Sequence, residues 1–270
     1  MHIRSTYIYY PAYIALSFLA IPGCGPRSIQ VSGEIAGRDG YARLLSRIIV
    51  NEKIDWTRLL ENRRFLDEYL ALLCKEGPET TPDRYPDRDS SLAYTLNSHN
   101  AMMLRSLIAL AKDGEWPDRL PGNLDRRFHF PVDGRLRTPA DMSEQAISQA
   151  GTDWRVRLAL FSGRRVGPPL TRRPFLGDVL DMQLDQVTRE ALASDRIVKI
   201  DHGMPTRLLL WRGLFDIREW LIADYEQRHQ TTGATLLSVL LEWSPPFQRQ
   251  TLNAAVGYSV ASMPTDPRFE

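Results

Sequence analysis

His99 stands between Asn97 and Asn100 in the stretch Ala93-Tyr94-Thr95-Leu96-Asn97-Ser98-His99-Asn100-Ala101. An imidazole flanked by two amides could serve as a general base held in place by hydrogen bonds. The plainer reading is a core histidine that makes one satisfied hydrogen bond, with Met103 on the same helical face. Ser162 offers a hydroxyl nucleophile, but a hydroxyl needs a base and the sequence places none near it, so a turn serine is the simpler account. Arg164, Arg165, Arg172 and Arg173 bracket Pro168-Pro169 and could clamp an anionic group through bidentate guanidinium contacts. Exposed arginines also form ordinary solvated, salt-paired loops, which is the less demanding reading here.

No other chemistry is written in the sequence. There is no H-E-x-x-H, no G-x-x-x-x-G-K-[ST], no C-x-x-C and no G-x-S-x-G. The five histidines, at 2, 99, 129, 202 and 229, have no ligand spacing, so no metal site and no cofactor is expected. The stripe Leu208, Trp211, Leu214, Phe215, Trp220 and Leu221 reads as core rather than as a ligand box.

The elements that must position these residues are mostly helices. Tyr41, Leu44, Leu45, Ile48 and Ile49 recur at helical spacing, and a second helix is predicted over 56–73, capped by Asp55. The segment 76–90, with three prolines among charges, reads as a loop, and a helix over 91–112 is stopped by Gly114. Phe128 to Val132 is a short strand entering an Asp133-Gly134 turn. Thr138 caps a helix that has Pro139 at its first position and closes at Gly151. Trp154, Val156, Leu158 and Leu160 alternate with Arg155, Arg157 and Ala159, the pattern of a half-buried strand. Helices over 175–193 and 206–227 flank a strand at 197–200, and a last helical stretch lies near 234–242. The expected architecture is α+β, a mainly helical single domain with a small β-sheet.

Asp55-Trp56 with Leu59, Leu66-Asp67 with Tyr69-Leu70, the Asn97-Ser98-His99-Asn100 helix, Phe130-Pro131-Val132-Asp133-Gly134, and Arg155 to Leu160 running into Gly163 and Pro168-Pro169-Leu170 occur in an order that resembles the domain-of-unknown-function family numbered 547. The resemblance covers 41–263. It implies a tyrosine where this chain has His99, a histidine where it has Arg157, and cysteines where it has Ser162 and Gly167. The final aromatic motif appears as Gly257-Tyr258-Ser259-Val260, without the family's aspartate. With both thiols and the strand histidine missing, thiolate chemistry is removed. The resemblance thus implies a degenerate member, a pseudoenzyme candidate. Asn97, Asn100 and Arg157 join the four loop arginines as ligand-binding candidates.

The N-terminus has a composition of its own. His2 and Arg4 precede Tyr7 to Ile21, which carry no charge, and Leu19-Ala20-Ile21-Pro22-Gly23-Cys24 resembles a bacterial lipobox. The apolar run contains Pro11 and falls short of the roughly 20 residues of a membrane span. The expected organisation is a signal peptide over 1–23, a lipidated Cys24, a Gly- and Ser-rich tether to residue 40, a globular domain over 41–263 and a tail over 264–270. Cys74 would then be a lone thiol, and no cysteine pairing is expected. Removing the signal takes one arginine and leaves a neutral chain, so nothing global draws it onto nucleic acid. The expected protein is a membrane-anchored lipoprotein of the cell envelope, on its periplasmic or extracellular face. Its domain would bind an envelope protein or an anionic ligand without catalysis. The alternative is a hydrolase or transferase with a site rebuilt from His99 and Ser162.

Overall fold

The computed structural model describes residues 32–112, 115–266 and 268. The signal segment and Cys24 lie outside them. Helix α1 spans Ser32–Ile48, so part of the predicted tether is helical. The reason lies in the glycines, which read as linker residues in sequence. A Cβ on Gly37 would stand 3.4 Å from Leu72 Cδ2, and one on Gly40 3.2 Å from Phe65 Cδ1. Those bare backbone positions let α1 approach α3 (Arg63–Leu73) closely, and the ring of Tyr41 stacks on Tyr69 with centroids 4.2 Å apart.

A hairpin of β1 (Ile49–Val50) and β2 (Lys53–Ile54) follows, turning through Asn51 and Glu52 at φ 49° and 62°. The helix predicted over 56–73 is two, α2 (Trp56–Glu61) and α3, divided at Asn62. Asp55 caps α2 as expected, its carboxylate accepting from Arg58 N at 3.0 Å. Cys74 is disulfide-bonded, against the expectation of a lone thiol; Cys24 is the one other cysteine in the sequence.

The spine of the molecule is α4 (Arg88–Leu110), in which every residue from Leu92 to Ile108 is buried. A helix buried all round must be covered from all sides. It begins three residues before the predicted start because Asp87 and Ser90 form a capping box, and the predicted stop at Gly114 lies outside the described residues. Two apolar clusters share this helix. Ala101 to Leu104, Leu107 and Ile108 pack with α1, α3 and the β3 residues Phe130 and Val132. Leu92, Ala93 and Leu96 pack with the C-terminal half of the chain.

Helix α5 (Leu124–Arg127) precedes a hairpin of β3 (Phe130–Val132) and β4 (Arg135–Arg137), and α6 (Pro139–Ala150) follows, capped by Thr138 and closed by Gly151 as predicted. Asp133, read from sequence only as a turn residue at what proves to be φ 50°, does more. Its carboxylate accepts from Glu79 N, Thr80 N and Thr80 Oγ1, each at 2.8 Å, and so pins the 76–90 loop to the hairpin.

The predicted strand over Trp154–Leu160 is instead a 3-10 helix, Trp154–Ala159. Its side chains alternate in burial only from Trp154 to Leu158, since Ala159 is buried too; it lies between α6 and α7 (Leu180–Leu192) and pairs with no strand. A six-residue apolar alternation does not separate the two states by itself. Residues 175–179 are not part of α7; Gly177–Val179 form a separate 3-10 turn. The predicted helix over 206–227 begins as a strand. β5 (Val198–Asp201) pairs antiparallel with β6 (Arg207–Leu210), and β7 (Ser259–Ser262) joins β6 in parallel. Helices α8 (Arg212–Phe215), α9 (Arg218–His229), α10 (Leu236–Trp243) and α11 (Pro246–Asn253) follow β6; α8 touches β7, and α10 packs against α7, α9 and α11. The result is a mainly helical α+β domain with small sheets of two or three strands. Among the described residues no helix is long and apolar enough to cross a membrane.

Candidate functional site

Three polar side chains form a belt on α4 where its two apolar clusters meet. Asn97 grips one backbone position from both sides, donating from Nδ2 to Phe175 O at 2.8 Å and accepting from Phe175 N at 2.8 Å. Asn100, one turn on, bridges two backbone positions, donating to Ala159 O at 3.1 Å and accepting from Phe161 N at 3.0 Å. Phe161 and Phe175 lie in segments that cross the interior outside any strand or helix, and the Ala159 carbonyl ends the 3-10 helix, so the two asparagines supply the missing partners.

His99 is 5% exposed, with Nδ1 2.9 Å from Pro139 O and Nε2 3.1 Å from Phe161 O. Burial lowers its pKa from the ordinary histidine value; the two carbonyls and the negative charge of Asp125 oppose that shift without cancelling it. The imidazole is therefore neutral at physiological pH and carries one N–H. One carbonyl receives that proton and the other faces a nitrogen lone pair. Neither nitrogen is aimed at a hydroxyl.

Ser162 is the residue after Phe161, and its Oγ accepts from Arg164 N at 3.4 Å. No hydrogen bond joins it to His99 among the described residues. The structure does bring positions 162 and 167 together. A Cβ built on Gly167 would lie 3.8 Å from Ser162 Cβ and 2.8 Å from its Oγ, with Trp211 Nε1 at 3.4 Å. That Cβ separation is the spacing of a bridged or closely juxtaposed thiol pair.

The four loop arginines do not act as one group. Arg164 is turned inward, donating from Nη2 to Pro121 O at 2.8 Å, while its own carbonyl accepts from Arg196 Nη2 at 2.6 Å. Arg165 is exposed, its backbone N–H 3.5 Å from Arg268 O, and Arg172 and Arg173 are exposed. Arg157 is half-buried in the 3-10 helix. Arg164 is thus a structural strut, whereas Arg165, Arg172 and Arg173 are open to solvent, Arg165 within electrostatic reach of the Asp266 carboxylate.

Two features were invisible to sequence reasoning. Arg155, taken there as the polar face of a strand, donates to Asp153 at 2.8 Å and Asp181 at 2.7 Å and pairs with Asp185, and these partners raise its pKa. The second is a cleft of about 480 Å³ between α9, α10 and α11, lined by Tyr225, Ser238, Leu241, Glu242, Arg249 and Asn253. Only the arrival of three short helices at one place creates it. Among the described residues no group of three or more His, Cys, Asp or Glu side chains could hold a metal ion. None of the known protein families, curated proteins or solved structures compared with the chain matches it.

Proposed function

We propose that this chain is an exported cell-envelope protein, held to a membrane through lipid on Cys24, whose globular domain binds an anionic ligand or an envelope partner and does not catalyse. The observation that carries the non-catalytic reading is that both His99 ring nitrogens face backbone carbonyls and neither faces a hydroxyl. A general base needs a lone pair within hydrogen-bond reach of the proton it takes. The 3.8 Å spacing between positions 162 and 167 supports kinship with the domain-of-unknown-function 547 family, as a member that has lost a facing thiol pair. The open arginines Arg165, Arg172 and Arg173 are the surface that would meet an anion.

Treatment with a fluorophosphonate is expected to leave Ser162 unlabelled. Stoichiometric labelling that disappears in His99→Gln would instead establish the rebuilt hydrolase or transferase. Replacing Arg165, Arg172 and Arg173 together with alanine should weaken capture of an anionic envelope partner and leave the thermal midpoint within a few degrees.

A second reading concerns the anchor, and the disulfide of Cys74 favours it. Disulfides persist in oxidising compartments, which agrees with export. Thioether lipidation and disulfide formation exclude each other at one sulfur, so the anchor requires a Cys24 thiol that is not oxidised. Metabolic labelling with palmitate that is lost in Cys24→Ser supports the anchor. No labelling of the unsubstituted chain supports an exported, unanchored protein.

A further inference from the structure

The open cleft between α9, α10 and α11 gathers one cation, one acid and three neutral polar side chains, with Arg249 and Asn253 exposed at its rim. Helix α9 contributes Tyr225; α10 contributes Ser238, Leu241 and Glu242 at i, i+3 and i+4; α11 contributes Arg249 and Asn253 at i and i+4. Each spacing puts the named residues on one helical face. The opposite face of α10, with Leu236, Val239 and Leu240, is buried in the second apolar cluster, so the cleft face is held on a rigid support. The Pro245-Pro246 step that ends α10 and starts α11 turns the last helix so that its polar face closes the cleft.

Its charges are unequally spent. Glu242 is taken by Arg228, at 2.9 Å and 3.1 Å to its two oxygens, and faces His229 Nε2 at 3.4 Å; these partners hold its carboxyl below the usual range. Arg228 also binds Asp224 at 2.9 Å. Arg249, by contrast, uses only Nε, on Ser244 O at 3.1 Å, and its terminal nitrogens have no partner among the described residues. The Tyr225 hydroxyl and the Asn253 amide have no hydrogen-bond partner either, among the described residues. One unspent guanidinium, with two neutral hydrogen-bonding groups beside it and an already paired carboxylate nearby, suits a single negative charge; a dianion would be repelled by Glu242. Leu241 and the Tyr225 ring, which packs on His229 with centroids 4.3 Å apart, border the rest of such a molecule.

We infer that this cleft binds a small monocarboxylate with an apolar body, its carboxylate on Arg249 and Asn253 and its body against Leu241 and Tyr225. The site is separate from the arginine loop and does not depend on it. N-acetyl-phenylalanine and its carboxamide are suitable probes, each titrated into the full chain while the side-chain signals of Arg249 Nε and Asn253 Nδ2 are followed by NMR. The acid should shift both signals saturably, the amide at least about tenfold more weakly. Arg249→Gln and Asn253→Ala should each remove the response at an unchanged thermal midpoint, and the Arg165, Arg172, Arg173 triple variant should keep it. An equal response to acid and amide, a response that survives in Arg249→Gln, or none up to the solubility limit of the acid would overturn the assignment.

Discussion

Asn97, His99 and Asn100 on α4 and Tyr225, Arg249 and Asn253 around the C-terminal cleft are chemically similar sets: an amide or two, with an aromatic or cationic partner. Their situations are opposite. The first set is buried and faces protein backbone, at Pro139, Ala159, Phe161 and Phe175. The second is half-buried or exposed and has hydrogen-bonding capacity left over. Residue type alone therefore does not mark a site. What separates a structural polar cluster from a binding one is whether its donors and acceptors are already used.

Substitutions should break along that line. The reference for a large effect is apolar: Leu107→Ala and Leu70→Ala, at 0% and 1% exposure, should each cost roughly 2–5 kcal/mol in denaturant melts. Losses below about 0.5 kcal/mol at both would mean the first cluster is not a packed core. Next come Asn97→Ala and Asn100→Ala. Each strands a buried N–H and a buried carbonyl, at a cost of roughly 2–4 kcal/mol. The amide of the open cleft is the contrast: Asn253→Ala should change stability by less than about 0.5 kcal/mol. If Asn100→Ala and Asn253→Ala were equally mild, the distinction between used and unused amides would fail.

A smaller effect is expected from pH. His99 has a folded pKa below its unfolded one, so the unfolded chain binds the proton more tightly. The stability this residue contributes is present in full above the ordinary histidine pKa, and it is lost as pH falls from there through the depressed folded value. Thermal midpoints followed downward from neutral pH should decline faster in the unsubstituted protein than in His99→Gln. Parallel curves would show that the ring is not held in a desolvated site.

Much of the architecture can be read from local signals, because caps and turns act within a few residues. Asp55, Thr138 with Pro139, Gly151 and Asp133-Gly134 all stand where their chemistry predicts. The failures are of another kind. Gly37 and Gly40 are linker residues by composition and packing residues in fact, since their role is set by Phe65 and Leu72 more than 20 positions away. The leucine run at 208–210 fits a helix or a strand, and only its pairing with β5 and β7 decides. At the candidate site, the residue types at 97, 99, 100 and 162 were legible but their partners were not. A hydrogen bond from Asn97 to Phe175 spans 78 positions and leaves no trace in spacing. The cleft residues gave no signal because each is ordinary by itself.

The claim that the α4 belt is structural is tested most directly by following the His99 imidazole through pH with ¹⁵N NMR, in the unsubstituted chain and in Ser162→Ala. A neutral ring with one slowly exchanging N–H, a titration midpoint below the ordinary histidine value and signals unmoved by Ser162→Ala is the predicted result. A ring that exchanges freely, titrates at or above the ordinary histidine value and shifts when the Ser162 hydroxyl is removed would contradict it, and would make His99 the base of an active site.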